Sequence, residues 1–421
     1  MGCCARRRAC LTLTRFDIHI DTPGTGVFHA AECVLEEDAG VLRRVDFRYT
    51  RQFLEYPAAF AFDPRRLPLE PGETRFPCQG GMPGFLDDHL PDAWGRRVLA
   101  VFVLEHHARR LNVNSAVELL TVEPSVSRIG ALSFATVGRE PTFTYGAPLA
   151  QLVEVEHAAV RVDASRPTDT EAFGLLQLAQ AGSGSGGARP KALLTDGATH
   201  YLAKFNRLSG DAYNHARVEL ACLEMARAAG LDAARGRVVE ATDGRDVLLL
   251  ERFDIAPLGG RHHLVTVNAL QKEEATQRDS GLLFRYDDIG ELLARYSVSI
   301  QSDVEQLVRL ALFNRAITNT DDHARNFSLI QRGEGYRLSP AYDLVPSVAV
   351  GEYHAAGLGF DPRPPRPSEA GRAGRLFGLS RPRLRTCAEE IRNALCGWRQ
   401  FAERAGVEEA ECEMLAARFD A

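Results

Sequence analysis

Long apolar runs are missing from this 421-residue chain, and nothing in it approaches the roughly 18 consecutive apolar residues that span a bilayer. A signal peptide is not expected either: Met1-Gly2-Cys3-Cys4-Ala5-Arg6-Arg7-Arg8 is basic, but no clean apolar stretch with a small-residue cleavage site follows it. Gly2-Cys3-Cys4 invites a lipidation reading, and a frayed tail is the plainer one. A surplus of one charge is also lacking: 50 Lys and Arg against 56 Asp and Glu leave a net charge of −6, which argues against a dedicated nucleic-acid coat. Cysteine pairs at metal or redox spacing are absent. The nine cysteines, at 3, 4, 10, 33, 78, 222, 387, 396 and 412, are odd in number and none is two residues from the next. Cys222 and Cys396 fall in apolar helical patterns, so reduced, mostly buried thiols in a cytoplasmic protein are expected. No internal repeat is visible. With 45% hydrophobic and 25% charged residues, disordered, collagenous and coiled-coil classes are excluded, and the length suits two or three domains.

The first 130 residues or so read as strands and turns with one helix. Arg15 to Ile20 alternates, Thr22-Pro23-Gly24 turns the chain, and Val45 to Phe53 alternates again. A helix is expected from Asp92 to about Arg110, a polar linker from Asp163 to Thr170 and a short helix from Thr170 to Ala181. After the Gly/Ser run Gly182 to Gly187, a hairpin is expected from Ala192 to Phe205 through Asp196-Gly197, and a second from Arg237 to Leu250 through Asp243-Gly244. Between them, Asn214 to Ala229 repeats apolar residues at helical spacing and stops at Gly230, a natural C-cap. Beyond Asp287 the expectation is mostly helix (Ile289 to Tyr296, Asp303 to Ile317, Thr386 to Ala405, Glu408 to Arg418), with the Pro- and Arg-rich stretch 361–385 as an exposed loop. A β-rich half feeding a helical half predicts two lobes and a cleft between them, where small ligands tend to bind.

Four constellations could carry chemistry. In Asn319-Thr320-Asp321-Asp322-His323-Ala324-Arg325-Asn326-Phe327-Ser328, an Asp precedes an Asn by five residues, and Asp343 follows in Tyr342-Asp343-Leu344-Val345-Pro346. Phosphoryl transfer uses that spacing: one Asp orients the attacking hydroxyl, while the Asn and the later Asp hold cations on the nucleotide phosphates. Mg²⁺ takes such hard oxygen ligands. Caps and turns are the plain alternative for any one of these residues. A transition-metal site of Asp321, Asp322 and His323 is another alternative, although it lacks a second well-spaced His. The second constellation, Gly182-Ser183-Gly184-Ser185-Gly186-Gly187-Ala188-Arg189-Pro190-Lys191, could cradle phosphate with backbone N–H groups or be a flexible linker; it lacks the closing step of a P-loop. Third, Lys204 interrupts an apolar strand and could pair with Glu219 on the next helix, the way kinases hold a phosphate-binding lysine. Fourth, the strand Asp246 to Leu250 runs into Glu251-Arg252-Phe253-Asp254, whose backbone and Phe253 ring could receive adenine or whose charged end could simply meet solvent.

Taken in order, Gly-Gly-Ala-Arg-Pro-Lys, the strand lysine, Glu-Arg-Phe-Asp, Asn-Thr-Asp-Asp-His-Ala-Arg-Asn-Phe-Ser and Tyr-Asp-Leu-Val-Pro resemble the HipA-family serine/threonine kinases, toxins of bacterial toxin–antitoxin systems. Leu90-Pro91-Asp92-Ala93-Trp94-Gly95-Arg96 is similar to a motif of that family's amino-terminal subdomain, and the resemblance covers roughly residues 45 to 415. It implies an α+β, bilobal, protein-kinase-like fold: an amino-terminal subdomain over residues 1–130, a nucleotide-binding core of the β-rich lobe over 131–255, and an all-helical carboxy-terminal lobe over 256–421. It also implies Asp321 as catalytic aspartate with His323 bracing its loop, Asn326 and Asp343 as Mg²⁺ ligands, and Lys204 on ATP. Glu251 and Phe253 become the adenine-holding hinge, and Gly186, Gly187, Lys191 and Glu219 complete the nucleotide site. The expected chemistry is Mg²⁺- and ATP-dependent phosphorylation of a protein such as an aminoacyl-tRNA synthetase. Autophosphorylation would fall on Ser185 or Ser183, which flank Gly184 one residue out of register with the family's usual serine. The expected partner is a small DNA-binding, HipB-like antitoxin, and no membrane is involved. A small-molecule kinase on the same fold and a catalytically inactive antitoxin- or DNA-binding module are the competing readings. For the Arg-rich stretch, a contact with nucleic acid or an acidic partner competes with a solvated surface.

Overall fold

The computed structural model describes residues 11–24, 26–122, 129–141, 143–163, 189–207, 209–240, 245–280, 283–348 and 354–420. The expected helix from Thr170 to Ala181, the Gly/Ser run with Ser183, Ser185, Gly186 and Gly187, and the Asp243-Gly244 turn lie outside those residues.

Alternation in the first segments builds an antiparallel sheet. Strand β1 (Leu11–Thr22) pairs with β2 (Gly26–Asp38), β2 with β3 (Val41–Tyr49), β3 with β4 (Thr74–Pro77), and β1 also with β5 (Leu132–Thr136). Phe16, Ile18 and Ile20 are buried at every second position, as the two-residue period of a strand requires. Phe53 does not extend β3: Thr50 caps a one-turn helix, Arg51–Leu54, and Phe53 turns into the aromatic core beside Tyr49, Phe60 and Phe62. Helices are also more numerous here than the single one expected, with Gly84–Asp87 and Ala116–Thr121 besides Ala93–His107.

The second sheet joins β6 (Ala147–Pro148), β7 (Lys191–Asp196), β8 (Thr199–Phe205), β10 (Asp246–Glu251) and β9 (Gly236–Glu240) in that order. Its two faces serve two cores. Ala203, Phe205, Val247 and Leu249 join the amino-terminal core, while Leu202, Leu248 and Leu250 face the helix His215–Ala228 and the carboxy-terminal lobe. Lys204 shares the face of Leu202, so strand periodicity alone aims it at the cleft. Helix His215–Ala228 starts at the Asn214 cap and ends as expected at Gly230 (φ +81°), whose N–H and that of Leu231 bond back to Arg227 and Ala226.

The carboxy-terminal lobe is mainly helical, but two expectations for it are corrected. It also carries a sheet of β11 (Leu264–Thr266), β13 (Ser328–Arg332) and β14 (Gly335–Leu338), and a parallel pair of β12 (Phe284–Arg285) with β15 (Ala356–Gly357), so it is not all-helical. The stretch 361–385 is largely helical rather than an exposed loop, with helices Gly371–Phe377 and Arg381–Cys396. Ser380 caps Arg383 N–H, and Pro382 sits in the first turn, where a missing N–H costs nothing. Leu384, Cys387, Ala388 and Ile391 then bury one stripe. Cys222 is buried as expected, but Cys396 is exposed at the end of its helix. Among the described residues no helix is long and apolar enough to cross a membrane.

Gly84 marks a close approach of the two halves: a Cβ there would stand 2.5 Å from the Ala269 carbonyl oxygen. Gly84→Ala should therefore cost about 1–3 kcal/mol by overpacking, read as a lower urea midpoint with an unchanged slope. An unchanged midpoint would show that the halves separate there at no cost.

Candidate active site

Three elements converge on one cavity of about 540 Å³. Strand β8 brings Lys204, the helix after Asn214 brings Glu219, and the segments after helix Ile300–Ala316 bring Asp321, Asn326 and Asp343. Lys204 Nζ lies 2.7 Å from Glu219 Oε1 and 2.9 Å from Asp343 Oδ1. Burial opposes the ammonium, but Asp343 and Glu219 outweigh it and raise its pKa. Asp343 is held down at about 2: burial works against its charge, and the Lys204 ammonium overcomes that. Two carboxylates share one ammonium, so Glu219, the deeper of the two, is pushed up by burial although Lys204 pulls the other way.

Asp343 has φ +59°, a left-handed conformation that Asp tolerates better than most residues and that clusters at functional sites. Its carbonyl accepts a hydrogen bond from Asn319 Nδ2 at 3.3 Å, and Asn319 is tied in turn to Asn314 Oδ1 at 3.0 Å.

The adjacent aspartates of the loop have opposite surroundings. Asp321 is exposed to the cavity; burial raises its carboxyl pKa, His323 offsets part of this, and Asp343 and Asp322 add to it. Asp322 is fully buried and accepts from Tyr286 Oη at 2.8 Å, His354 Nδ1 at 3.1 Å and Ala356 N at 3.0 Å. These contacts hold the loop, whereas His323 Nδ1 is buried without a partner among the described residues. The transition-metal reading fails on this geometry, because the Asp322 carboxylate is turned into the core and saturated.

Asn326 donates Nδ2 to the Asp321 carbonyl at 2.9 Å, and its buried Oδ1 has no partner among the described residues. That orphaned amide oxygen and the Asp343 carboxylate line the same cavity and are hard-oxygen ligands of the kind that suits Mg²⁺ completed by waters and phosphate. Among the described residues no three His, Cys, Asp or Glu side chains group to hold a metal alone.

Next to the main cavity, Leu202, Lys204, Leu250, Glu251, Phe253 and Tyr342 line a mainly apolar pocket of about 60 Å³. Glu251 and Phe253 are thus placed at one end of the site and Lys191 in the main cavity.

Asp87 and Asp88 had no signal in their own neighbourhoods, and Asp92 stood only within the amino-terminal motif. Asp87 reaches Arg325 at 3.0 Å and Lys272 at 2.8 Å, Asp88 accepts from the N–H and hydroxyl of Thr266 at 2.7 Å each, and Asp92 meets Lys191 at 2.9 Å. Tyr342 Oη donates to the Arg325 carbonyl at 3.0 Å and pairs with Ser328 Oγ at 2.8 Å. A cluster of acids at 87, 88 and 92 reads locally as surface; only the fold joins it to residues 100 to 240 positions away.

The model of the HipA-like C-terminal domain matches residues 183–419. The Y4mE protein of Sinorhizobium fredii, whose name proposes a kinase, is 30% identical over 217 residues, covering 50% of this chain and 44% of that protein. Toxin YjjJ of Escherichia coli is 26% identical over 289 residues, covering 64% of this chain and 60% of that protein. The chain therefore spans about half the length of these curated relatives. HipA of Shewanella oneidensis, solved in a complex of HipA, HipB and its operator DNA, superposes with a TM-score of 0.64 at 19% identity, over 96% of this chain and 94% of that one. That likeness establishes the α+β, two-lobed fold.

Two outcomes test the loop and its support. Asp322→Ala strands three donors and should cost about 3 kcal/mol or more, seen as a lowered thermal midpoint; a wild-type midpoint would remove Asp322 as the loop's anchor. Burial, against the bonds from Thr266, pushes Asp88 up to about 7, whereas an unfolded Asp titrates near about 4. Between those values the folded chain keeps a proton that the unfolded chain has lost. The stability gained from that proton is complete below about pH 4 and is lost as pH rises through about 7. Asp88→Asn should flatten the urea midpoint across this window, and an unaltered slope would place the titration elsewhere.

Proposed function

The chain belongs to the family of the HipA-like C-terminal domain, and from that membership we propose that it is a Mg²⁺- and ATP-dependent serine/threonine kinase. The observation that carries the reading is the Lys204 ammonium bridging Glu219 and Asp343 across a cavity that Asp321 and Asn326 also line.

Bound Mg·ATP would supply the phosphoryl group and the cation that neutralises it. The residues divide the remaining work. Asp321, facing the cavity with its basicity raised by burial, orients the acceptor hydroxyl and takes its proton. Asn326 Oδ1 and the Asp343 carboxylate would hold the cation, and His323, whose N–H donates to the Asp321 carbonyl and whose carbonyl accepts from Asn326 N–H, braces the loop between them. Lys204 and Lys191 draw the phosphates while Glu219 keeps the Lys204 ammonium aimed; Gly186 and Gly187, outside the described residues, are proposed for the nucleotide site from sequence alone. The apolar pocket at Glu251 and Phe253 takes the adenine, with the Phe253 and Tyr342 rings 6.1 Å apart at its edge. Positioning and charge neutralisation supply most of the rate gain in such a site.

The acceptor is proposed to be a protein hydroxyl in the cytoplasm, on a translation component such as an aminoacyl-tRNA synthetase, with the chain acting as a toxin. Ser185 or Ser183 would take phosphate in self-modification. A HipB-like, DNA-binding antitoxin is the proposed partner, supported by the HipB and operator DNA in the solved complex of the Shewanella protein.

Asp321→Asn should lower phosphate transfer by about a thousandfold or more, while Mg·ATP still raises the thermal midpoint. Mass spectrometry after incubation with ATP reads transfer on the chain itself and separates Ser183 from Ser185. Undiminished transfer by the variant would remove Asp321 from the mechanism.

A further inference from the structure

Two lysines stand directly opposite one another in the second sheet. Lys191 opens β7, and its register partner in β8 is Lys204. Opposed residues of an antiparallel pair share a face, with Cβ atoms about 4.5–5.5 Å apart, and like charges there repel. Both lysines line the main cavity, and the Lys191 charge helps to hold Asp343 ionised.

Their counter-charges come from different places. Lys204 is balanced by Glu219 and Asp343. Lys191 Nζ lies 2.9 Å from Asp92 Oδ2, with the two side chains 4% and 12% exposed. Asp92 is 99 residues earlier in the chain, and its position is fixed independently: Oδ1 accepts from Gly95 N at 2.8 Å and caps the helix Ala93–His107. Two residues on, Trp94 is completely buried in the amino-terminal core. Asp92 is therefore a rigid carboxylate that cannot follow Lys191 if the lysine moves.

We propose that Asp92 is a positioning residue for the nucleotide phosphates, holding the Lys191 ammonium in the cavity against the repulsion of Lys204. The amino-terminal subdomain thereby sets half of the phosphate-binding lysine pair. This inference rests on the phosphotransfer reading above. An ammonium has three N–H donors, so the contact with Asp92 is compatible with contacts to phosphate oxygens. Without the carboxylate, Lys191 loses the contact that fixes its ammonium opposite Lys204, and its share of phosphate binding falls.

The test is a double-mutant cycle on the full chain, with dissociation constants for Mg·ATP from calorimetry. Asp92→Asn keeps a capping oxygen at a position where Asn and Asp are equally good, so folding is retained, and Asp92→Ser, which also caps, serves as the second variant. Asp92→Asn is expected to weaken Mg·ATP about tenfold, Lys191→Met at least as much, and the double variant no more than Lys191→Met alone, because Asp92 acts through Lys191. Additive losses, or wild-type affinity in both Asp92 variants, overturn the proposal while the kinase reading stands. Absence of Mg·ATP binding by the wild-type chain overturns the kinase reading and this inference with it.

Discussion

Both lobes meet at the ammonium of Lys204, and the rest of the site is arranged around its charge. A bare ammonium in a protein interior is costly, and its attraction to a partner offsets the lost hydration only when the geometry is good. Here two carboxylates from different elements supply that geometry, at 2.7 and 2.9 Å. At an effective dielectric of about 20, charges about 4 Å apart attract by about 4 kcal/mol, close to the desolvation cost per ion, so the triad adds little net stability. Its effect is to fix positions: removing one partner leaves the others buried and unbalanced, so strand, helix and carboxy-terminal segment keep one mutual arrangement.

That constraint explains the backbone at Asp343. A left-handed residue other than glycine costs of order 1–3 kcal/mol and persists only where the surroundings over-determine it. Lys204 holds the carboxylate and Asn319 holds the carbonyl of the same residue, so both ends of Asp343 are pinned. The same logic separates Asp321 from Asp322. With Asp322 saturated by Tyr286, His354 and the Ala356 N–H, the loop cannot rotate to bury Asp321. One carboxylate is spent as an anchor so that its neighbour faces the cavity.

Much of this was legible in the sequence where the signal is local. Lys204 stood out as a charge in an apolar strand with Glu219 as a candidate partner, a helical repeat with a closing glycine placed Glu219, and the spacing of Asp321, Asn326 and Asp343 anticipated their lining of one cavity. Local signals failed where tertiary context overrode them. The prolines at 367 and 382 read as breakers, yet both occupy first turns, and the apolar stripe from Leu384 to Ile391 carries the second helix onto the core. Phe53 continued an alternation that the Thr50 cap interrupts. The strands of the carboxy-terminal lobe are two to five residues long, too short for periodicity to register. Asp87, Asp88 and Asp92 belong to no motif of phosphoryl transfer and acquire meaning only when the chain returns to them.

Those three acids bind the amino-terminal subdomain into the site. Asp87 balances Arg325, the residue before Asn326, and also Lys272. Asp88 holds Thr266, whose register partner across β11 and β13 is Ser328, and Ser328 pairs with the Tyr342 hydroxyl one residue before Asp343. Arg66 adds bonds to the carbonyls of Leu270 and Lys272, and Tyr336 donates to the Ala61 carbonyl. Detaching the subdomain would take Asp87 from Arg325 and Lys272, which keep Asp279, and Asp92 from Lys191 in the cavity that also holds Lys204. Breaking a buried charge pair such as Lys191–Asp92 one-sidedly costs about 3–5 kcal/mol, a large fraction of the roughly 5–15 kcal/mol by which a domain is stable. The subdomain is therefore coupled to the site at two places: Asp92 holds a lysine of the cavity, and Asp87 and Asp88 hold Arg325 and Thr266 behind the catalytic loop.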